Sequence, residues 1–241
     1  MVVQPQIQRQ LLDINHSFYE RFARQFADSR STGQASLRRA LAAICGEETV
    51  LDVGCGDGRV ARALDEMGRS ISYQGLDASA SFIALARERA AALTHVRASF
   101  AVVDIAEAHW TRALPQRSFD VALALAVLHH MPGSELRQRI AGDLASLLSP
   151  SGRLIVSTWQ FLQSERLRKR IVPWATVGLD ACQVDEGDYL LDWQRGGYGL
   201  RYCHAVVEDQ LRALCEQAGL EVEDVFIADG GLNLFALAVH R

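Results

Sequence analysis

The 241-residue chain predicts an α/β fold of parallel strands joined by crossing helices, and three features carry that reading. The stretch Val50-Leu51-Asp52-Val53-Gly54-Cys55-Gly56-Asp57-Gly58 is an apolar strand entering a glycine-spaced turn, after which Val60, Leu64 and Met67 recur on one helical face. A second short strand ends in Asp77, nineteen residues past Gly58. Strand and helix signals then go on alternating as far as Trp159.

Taken in order, residues 10–44 read as helices in which Phe18, Phe22 and Phe26 form one aromatic packing stripe. Between them lie Tyr19, Arg24, Asp28 and Arg30, polar groups near the entry to the cleft that follows. The glycines at 54, 56 and 58 let backbone approach a ligand at a helix N-terminus, because glycine lacks a Cβ and tolerates positive φ. After the strand that ends in Asp77, Ser79 or Ser81 caps a helix carrying Phe82, Leu85 and Ala86. A third strand is expected at Ala101–Ile105, holding Asp104, and a fourth at Phe119–Leu125, running into Ala126-Val127-Leu128-His129-His130. Ser134–Leu148 has helical periodicity and is closed by Ser149-Pro150-Ser151-Gly152; Arg153–Trp159 is a fifth strand. Val207–Ala218 is a further helix, and Glu221–Ile227 with Leu234–Val239 forms a closing strand pair.

Residues 160–206 break the alternation, and insertions of that length after a core strand are functional or disordered. Trp174, Tyr189, Trp193, Tyr198 and Tyr202 argue against disorder, so the segment is expected to be a lid over the carboxyl edge of the sheet. The length suits one domain: a helical cap at 1–45, a cofactor-binding core at 46–159, the lid, and a closing helix and strand pair at 207–241. No run is long and apolar enough to cross a bilayer and the N-terminus lacks a secretory apolar region, so a cytoplasmic location without membrane partners is expected. Five cysteines without a C-x-x-C indicate neither a disulfide framework nor a metal site, and Cys55 reads as a spectator in the turn. The net charge of −4 hides a gradient: residues 1–45 hold six arginines against three acids, whereas residues 207–241 hold two against seven. A basic run, Arg166-Leu167-Arg168-Lys169-Arg170, contains the only lysine and reads either as a solvated helix face or as a phosphate site.

The glycines alone do not name the nucleotide. The third comes one position early for the G-x-G-x-x-G pyrophosphate fingerprint, which disfavours a nicotinamide oxidoreductase. Strand, Asp52-x-Gly54-x-Gly56-x-Gly58, helix resembles motif I of the class I S-adenosylmethionine-dependent methyltransferases. The acid suits that cofactor, whose ammonium and sulfonium are cationic. The resemblance implies a Rossmann-like, seven-stranded, mostly parallel sheet with its last strand antiparallel and helices on both faces. It also implies cofactor contacts at Asp52, Gly54, Gly56, Gly58, Asp77, Ala78, Asp104, Ile105, Leu125 and Val127, with Asp77 on the ribose hydroxyls and Asp104 on the adenine amine.

Further pieces resemble one branch, the methyltransferases that esterify carboxymethyl-uridine at the tRNA wobble position. They are Tyr19-Glu20-Arg21-Phe22-Ala23, Phe26-Ala27-Asp28-Ser29-Arg30, Ser118-Phe119-Asp120, Ala126–His130, Thr158-Trp159, Val172-Pro173-Trp174, Gly187-Asp188-Tyr189 and Arg201-Tyr202-Cys203-His204. Cys203 departs from the branch, standing where an aromatic residue is expected. The branch implies tRNA as partner, a small zinc-ribbon activator protein in some members, and substrate-positioning roles for Arg30, His130, Trp159 and Arg201, with His129 packed or backbone-bonded. No residue is expected to act as a base. The acidic balance of the chain favours one alternative to tRNA esterification, a small-molecule O- or N-methyltransferase. A second alternative, of another class, is a non-catalytic S-adenosylmethionine-binding subunit supporting a partner enzyme, whose sign would be cofactor binding without methyl transfer.

Overall fold

In the computed structural model, which describes residues 3–30 and 32–240, ten strands and seven α-helices are arranged as two sheets with their covering helices. The strands are β1 (Thr49–Val53), β2 (Ile71–Asp77), β3 (Val96–Val102), β4 (Phe119–Leu125), β5 (Leu148–Trp159), β6 (Ile171–Val172), β7 (Asp188–Trp193), β8 (Gly199–His204), β9 (Leu220–Ala228) and β10 (Asn233–His240). The helices are α1 (Pro5–Ala27), α2 (Ala35–Leu41), α3 (Arg59–Glu66), α4 (Ala80–Ala90), α5 (Ser134–Ser146), α6 (Glu165–Arg168) and α7 (Glu208–Gln217).

β1 and β4 are buried almost throughout because both faces of their sheet are covered. Successive side chains alternate between the faces. Leu51, Val53, Ala122 and Ala124 pack with Ile140 and Leu144 of α5 and Leu211 of α7, while Val50, Val121 and Leu123 pack with Leu37 of α2, Val60 and Leu64 of α3 and Ile83 of α4. The strand order is β3-β2-β1-β4-β5-β10-β9. Pairing is parallel from β3 to β5, and β10 runs antiparallel to both of its neighbours, as the sequence predicts for the last strand. Strand order reverses about β1, which opens a crevice at the carboxyl ends of β1 and β4.

The 160–206 segment builds a separate antiparallel sheet, β6-β7-β8, rather than an irregular excursion. α1 packs against β8 and α4, so the N-terminal helix bridges this small sheet and the central domain. Asn15 makes the junction specific: its Oδ1 accepts the Tyr202 N–H at 2.8 Å, and its Nδ2 donates to the Tyr202 carbonyl at 3.1 Å.

Several boundaries move from their predicted places for local reasons. α1 begins at Pro5, where a residue lacking an N–H suits the first turn. β3 ends at Val102, short of Asp104, whose Oδ1 accepts the Ala106 N–H at 2.8 Å and turns the chain out of the sheet. α5 ends at Ser146, and Ser149–Gly152 forms an irregularity within the long β5, where the register to β4 shifts between Phe119 and Val121. Of the two serines, Ser79 is the cap, its Oγ accepting the Phe82 N–H at 3.1 Å.

Candidate active site

The turn after β1 earns its glycines by geometry. Gly54 has φ +68°, and a Cβ there would fall 2.4 Å from Val127 Cγ2. The cavity beside it is walled by Asp52, Gly54, Gly56, Asp77, Ala78, Asp104, Ile105, Leu125 and Val127, nine of the ten predicted contacts. Its empty space, including the open mouth, is about 1190 Å3. Gly58 is the exception. It is buried at the start of α3 with φ +71°, a Cβ there would sit 3.2 Å from the Phe100 ring, and it does not reach the cavity.

Asp77 is pinned by two backbone donors, Gly56 N–H on Oδ2 and Ser79 N–H on Oδ1, both at 2.9 Å. Burial outweighs these bonds and pushes its pKa up to about 6, with Glu20 and Asp104 adding to the rise. Asp52, which accepts the Tyr73 hydroxyl, is pushed up to about 7 by burial. A cavity holding two such acids favours a cationic ligand.

α1 supplies the opposite wall through Leu12, Asn15, His16, Tyr19 and Phe26. Glu20 on the same helix receives the Ser79 and Ser81 hydroxyls at 2.6 Å each, and these bonds hold its pKa below the usual carboxylate value. Arg59 also lines the cavity and donates to Gln34 Oε1 at 2.9 Å. The sequence reading gave Glu20 and Arg59 no role. A cation directly after the third glycine was the available signal for Arg59; Glu20 lies in the Tyr19–Ala23 piece, but its partners are 59 and 61 positions away, so the piece does not show its role.

A second cavity adjoins the first across Tyr19, Phe26, Arg30, Ala126 and His130, which line both. All four predicted positioning residues, Arg30, His130, Trp159 and Arg201, meet on its walls. Arg201 is only 6% exposed and lies 5.0 to 5.9 Å from the ring centroids of Phe18, Trp159, Trp193 and Phe26. Its Nε has no hydrogen-bond partner, and among the described residues no carboxylate pairs with its guanidinium. Arg30 is exposed and stacks on Phe26 at 4.4 Å; desolvation in the cavity, with Arg59 and Arg201 nearby, lowers its pKa to about 10.

His130 is held on both nitrogens, Nδ1 facing the Tyr202 carbonyl at 2.9 Å and Nε2 the Tyr19 hydroxyl at 2.7 Å. The carbonyl can only accept, so Nδ1 carries the proton and Tyr19 donates to Nε2. Burial drives the His130 pKa down to about 3, which makes the ring neutral. His129 is packed and backbone-bonded, as expected, its Nδ1 taking the Trp159 N–H at 3.3 Å. His129, His130 and Cys203 bring possible ligand atoms within 4.8 Å of one another. The engaged nitrogens of His130 and the neighbouring Arg30 and Arg201 set this cluster against a metal cation. Between the cavities, Ala126 adopts φ +59°, tied by its N–H to the Ser157 carbonyl and hydroxyl at 3.0 Å each; a strained residue of this kind is found where a site over-determines its backbone.

A family model described as a methyltransferase domain matches residues 17–225. The chain belongs to that family. A probable tRNA methyltransferase 9B of Mus musculus is 26% identical over 66% of this chain and 33% of its own length, and a ubiquinone biosynthesis O-methyltransferase of Pseudomonas paraeruginosa is 29% identical over 80% and 71%. The chain therefore spans about a third of the length of the first of these relatives. Among solved structures, a Burkholderia thailandensis 1,6-didemethyltoxoflavin-N1-methyltransferase with bound S-adenosylhomocysteine superposes with a TM-score of 0.64 at 19% identity, covering 100% of this chain and 92% of that one. A Haloferax volcanii putative methyltransferase in complex with the Trm112 methyltransferase activator gives 0.63 at 17% identity, covering 93% and 96%. The family is that of a methyltransferase domain, and the solved structures share the fold of this chain. Among the described residues no helix of this methyltransferase is long and apolar enough to cross a membrane.

Proposed function

We propose that this methyltransferase esterifies a carboxylate, that of carboxymethyl-uridine at the wobble position of a tRNA. The observation that carries the reading is Arg201, a buried guanidinium without a carboxylate partner, in a cavity that adjoins the cofactor cavity. An anionic acceptor would complete it with a planar two-point fork. The likeness to a tRNA methyltransferase supports the same acceptor class.

The residues present fit the cofactor. Asp52 and Asp77 offer anionic walls to the ammonium and ribose, the oxygen of Asp104 not engaged by Ala106 can take the adenine amine, and Gly54 and Gly56 keep the floor clear. S-adenosylmethionine supplies an electrophilic methyl group on a sulfonium. A carboxylate acceptor, with a pKa near ~4, is already ionised at neutral pH, so this chain's residues need remove no proton. Their work is alignment, for which effective molarities of up to ~10⁵ M or more are attainable. Neutral His130 and Tyr19 leave Arg30 as the charged side chain of the shared wall, and the β6-β7-β8 sheet acts as the lid that excludes water where charge is neutralised.

The test is mass analysis of tRNA nucleosides after incubation of purified enzyme with S-adenosylmethionine and tRNA bearing carboxymethyl-uridine, with and without a zinc-ribbon activator of the Trm112 kind. Formation of the methyl ester supports the reading. The likeness to a ubiquinone O-methyltransferase favours a second reading, a small-molecule acceptor; turnover of a phenol or quinone without tRNA esterification would establish it instead.

A further inference from the structure

The basic run at residues 166–170 is divided by the fold. Lys169 pairs with Glu165 at 2.7 Å, and Arg168 donates to the Leu162 carbonyl at 2.6 Å. Arg166 and Arg170, four residues apart, line the acceptor cavity together with Arg195. The cavity thus holds five arginines (30, 166, 170, 195 and 201) against two acids, Asp192 and Asp229. Both acids are engaged: Asp229 receives Ser36 Oγ and Asn233 Nδ2 at 2.6 Å each, and Asp192 receives Gln194 Nε2 at 2.6 Å and faces Arg170 at 3.4 Å. Among the described residues no acid pairs with Arg166 or Arg195.

The cations lie in two tiers. Arg201 is buried and caged by aromatic rings, whereas Arg166 and Arg195 are exposed. One acceptor carboxylate matches the inner tier and leaves the outer one uncompensated. Trp159 and Trp193 stand on the walls of the same cavity with Arg201 over their rings at 5.1 and 5.3 Å, an aromatic and cationic surface of the kind on which bases stack. A second anion next to a stacked base is a phosphodiester. We infer that Arg166, Arg170 and Arg195 form a phosphate-binding rim, so that the acceptor is taken as a nucleotide within an RNA strand rather than as a free nucleoside. This inference rests on the second cavity being the acceptor site.

The experiment compares a trinucleotide carrying central carboxymethyl-uridine with the corresponding nucleoside, on wild type and on Arg166→Gln/Arg170→Gln, with S-adenosylmethionine affinity as the control for folding. Wild type is expected to favour the trinucleotide by about tenfold or more in kcat/KM, the scale of a charge-assisted contact. In the double variant that ratio should collapse through KM. The salt dependence of binding to single-stranded oligo-uridylate, measured by anisotropy, should flatten by about 1.4 units of log-log slope for two lost contacts. A preserved ratio and an unchanged salt slope in the variant overturn the rim while leaving the esterification reading intact. If no carboxymethyl-uridine substrate is esterified, yet oligo-uridylate binds with a salt slope that the double variant lacks, esterification falls and the rim stands.

Discussion

The Tyr19 hydroxyl donates to His130 Nε2 at 2.7 Å across 111 residues of sequence, on the wall that the two cavities share. The bond fixes the tautomer of a buried, neutral imidazole and keeps the phenol protonated, burial having pushed the Tyr19 pKa up to about 12. Replacing Tyr19 with Phe leaves Nε2 as a buried acceptor without a partner, a loss of about 1–3 kcal/mol. For a chain of this size each kcal/mol lowers the melting temperature by about 2–4 °C, so a fall is expected by calorimetry. An unchanged melting temperature would show that the bond contributes nothing to stability.

Gly54 and Val127 make a second testable pair. Gly54→Ala brings a methyl group to 2.4 Å from Val127 Cγ2 at a positive φ, so both contact and backbone strain oppose it. Backbone strain alone is worth on the order of 1–3 kcal/mol. S-adenosylmethionine affinity is expected to fall, and Val127→Ala in the same chain to restore part of it. Failure of the second change to help would place the whole effect in φ.

Acid titration in the cofactor cavity gives a pH signature. Asp52 and Asp77 have pKa values raised from 3.8 to about 7 and about 6, so the folded state keeps protons that the unfolded chain releases above its lower pKa. Their contribution to stability is full below the unfolded value and is lost as pH rises through the folded values. His130, lowered to about 3, acts in the other direction, since the unfolded ring takes a proton below about pH 6.5 and stability falls with pH from there towards 3. A cationic ligand should displace protons from the acids. S-adenosylmethionine affinity is therefore expected to rise between pH 5.5 and about 7, with proton release measurable by calorimetry in buffers of different ionisation heat. Asp77→Asn should remove its share of the release.

Arg201→Met separates function from stability. Methionine can fill the aromatic cage without an unpaired buried charge, so the melting temperature is expected to hold or rise. Methyl transfer to an anionic acceptor should fall by about 10- to 100-fold, the worth of a charge-assisted hydrogen bond. Arg201→Lys keeps the charge but not the fork, and is expected to lose methyl transfer while S-adenosylmethionine affinity holds. A destabilised but active Met variant would mean that the guanidinium serves packing alone.

What the sequence made legible was local. The strand, the glycine spacing, the strand-end acid Asp77 and Asp104 in the turn just past β3 each declare themselves within a few residues, and nine of the ten predicted contacts meet on one cavity. Gly58 stands off that cavity against Phe100, a difference that glycine spacing does not show, since it does not separate close approach to a ligand from close approach to a neighbouring ring. The small antiparallel sheet in the 160–206 segment was hidden by short strands, one of them only two residues long. Glu20 on Ser79 and Ser81, Tyr19 on His130 and Asn15 on Tyr202 join residues 59 to 187 positions apart, and no periodicity carries such pairs.

Asn15 is translated before the strand backbone it completes at Tyr202, which follows 187 residues later. α1 therefore leaves the ribosome long before its buried partners in β8 exist, with the apolar side chains Leu11, Phe18 and Phe22 still exposed. Contacts of such sequence separation form late and slowly. The wall that α1 gives the cofactor cavity is therefore locked on its β8 side only once β8 has been made, and until then its apolar face is held by α4 rather than by β8.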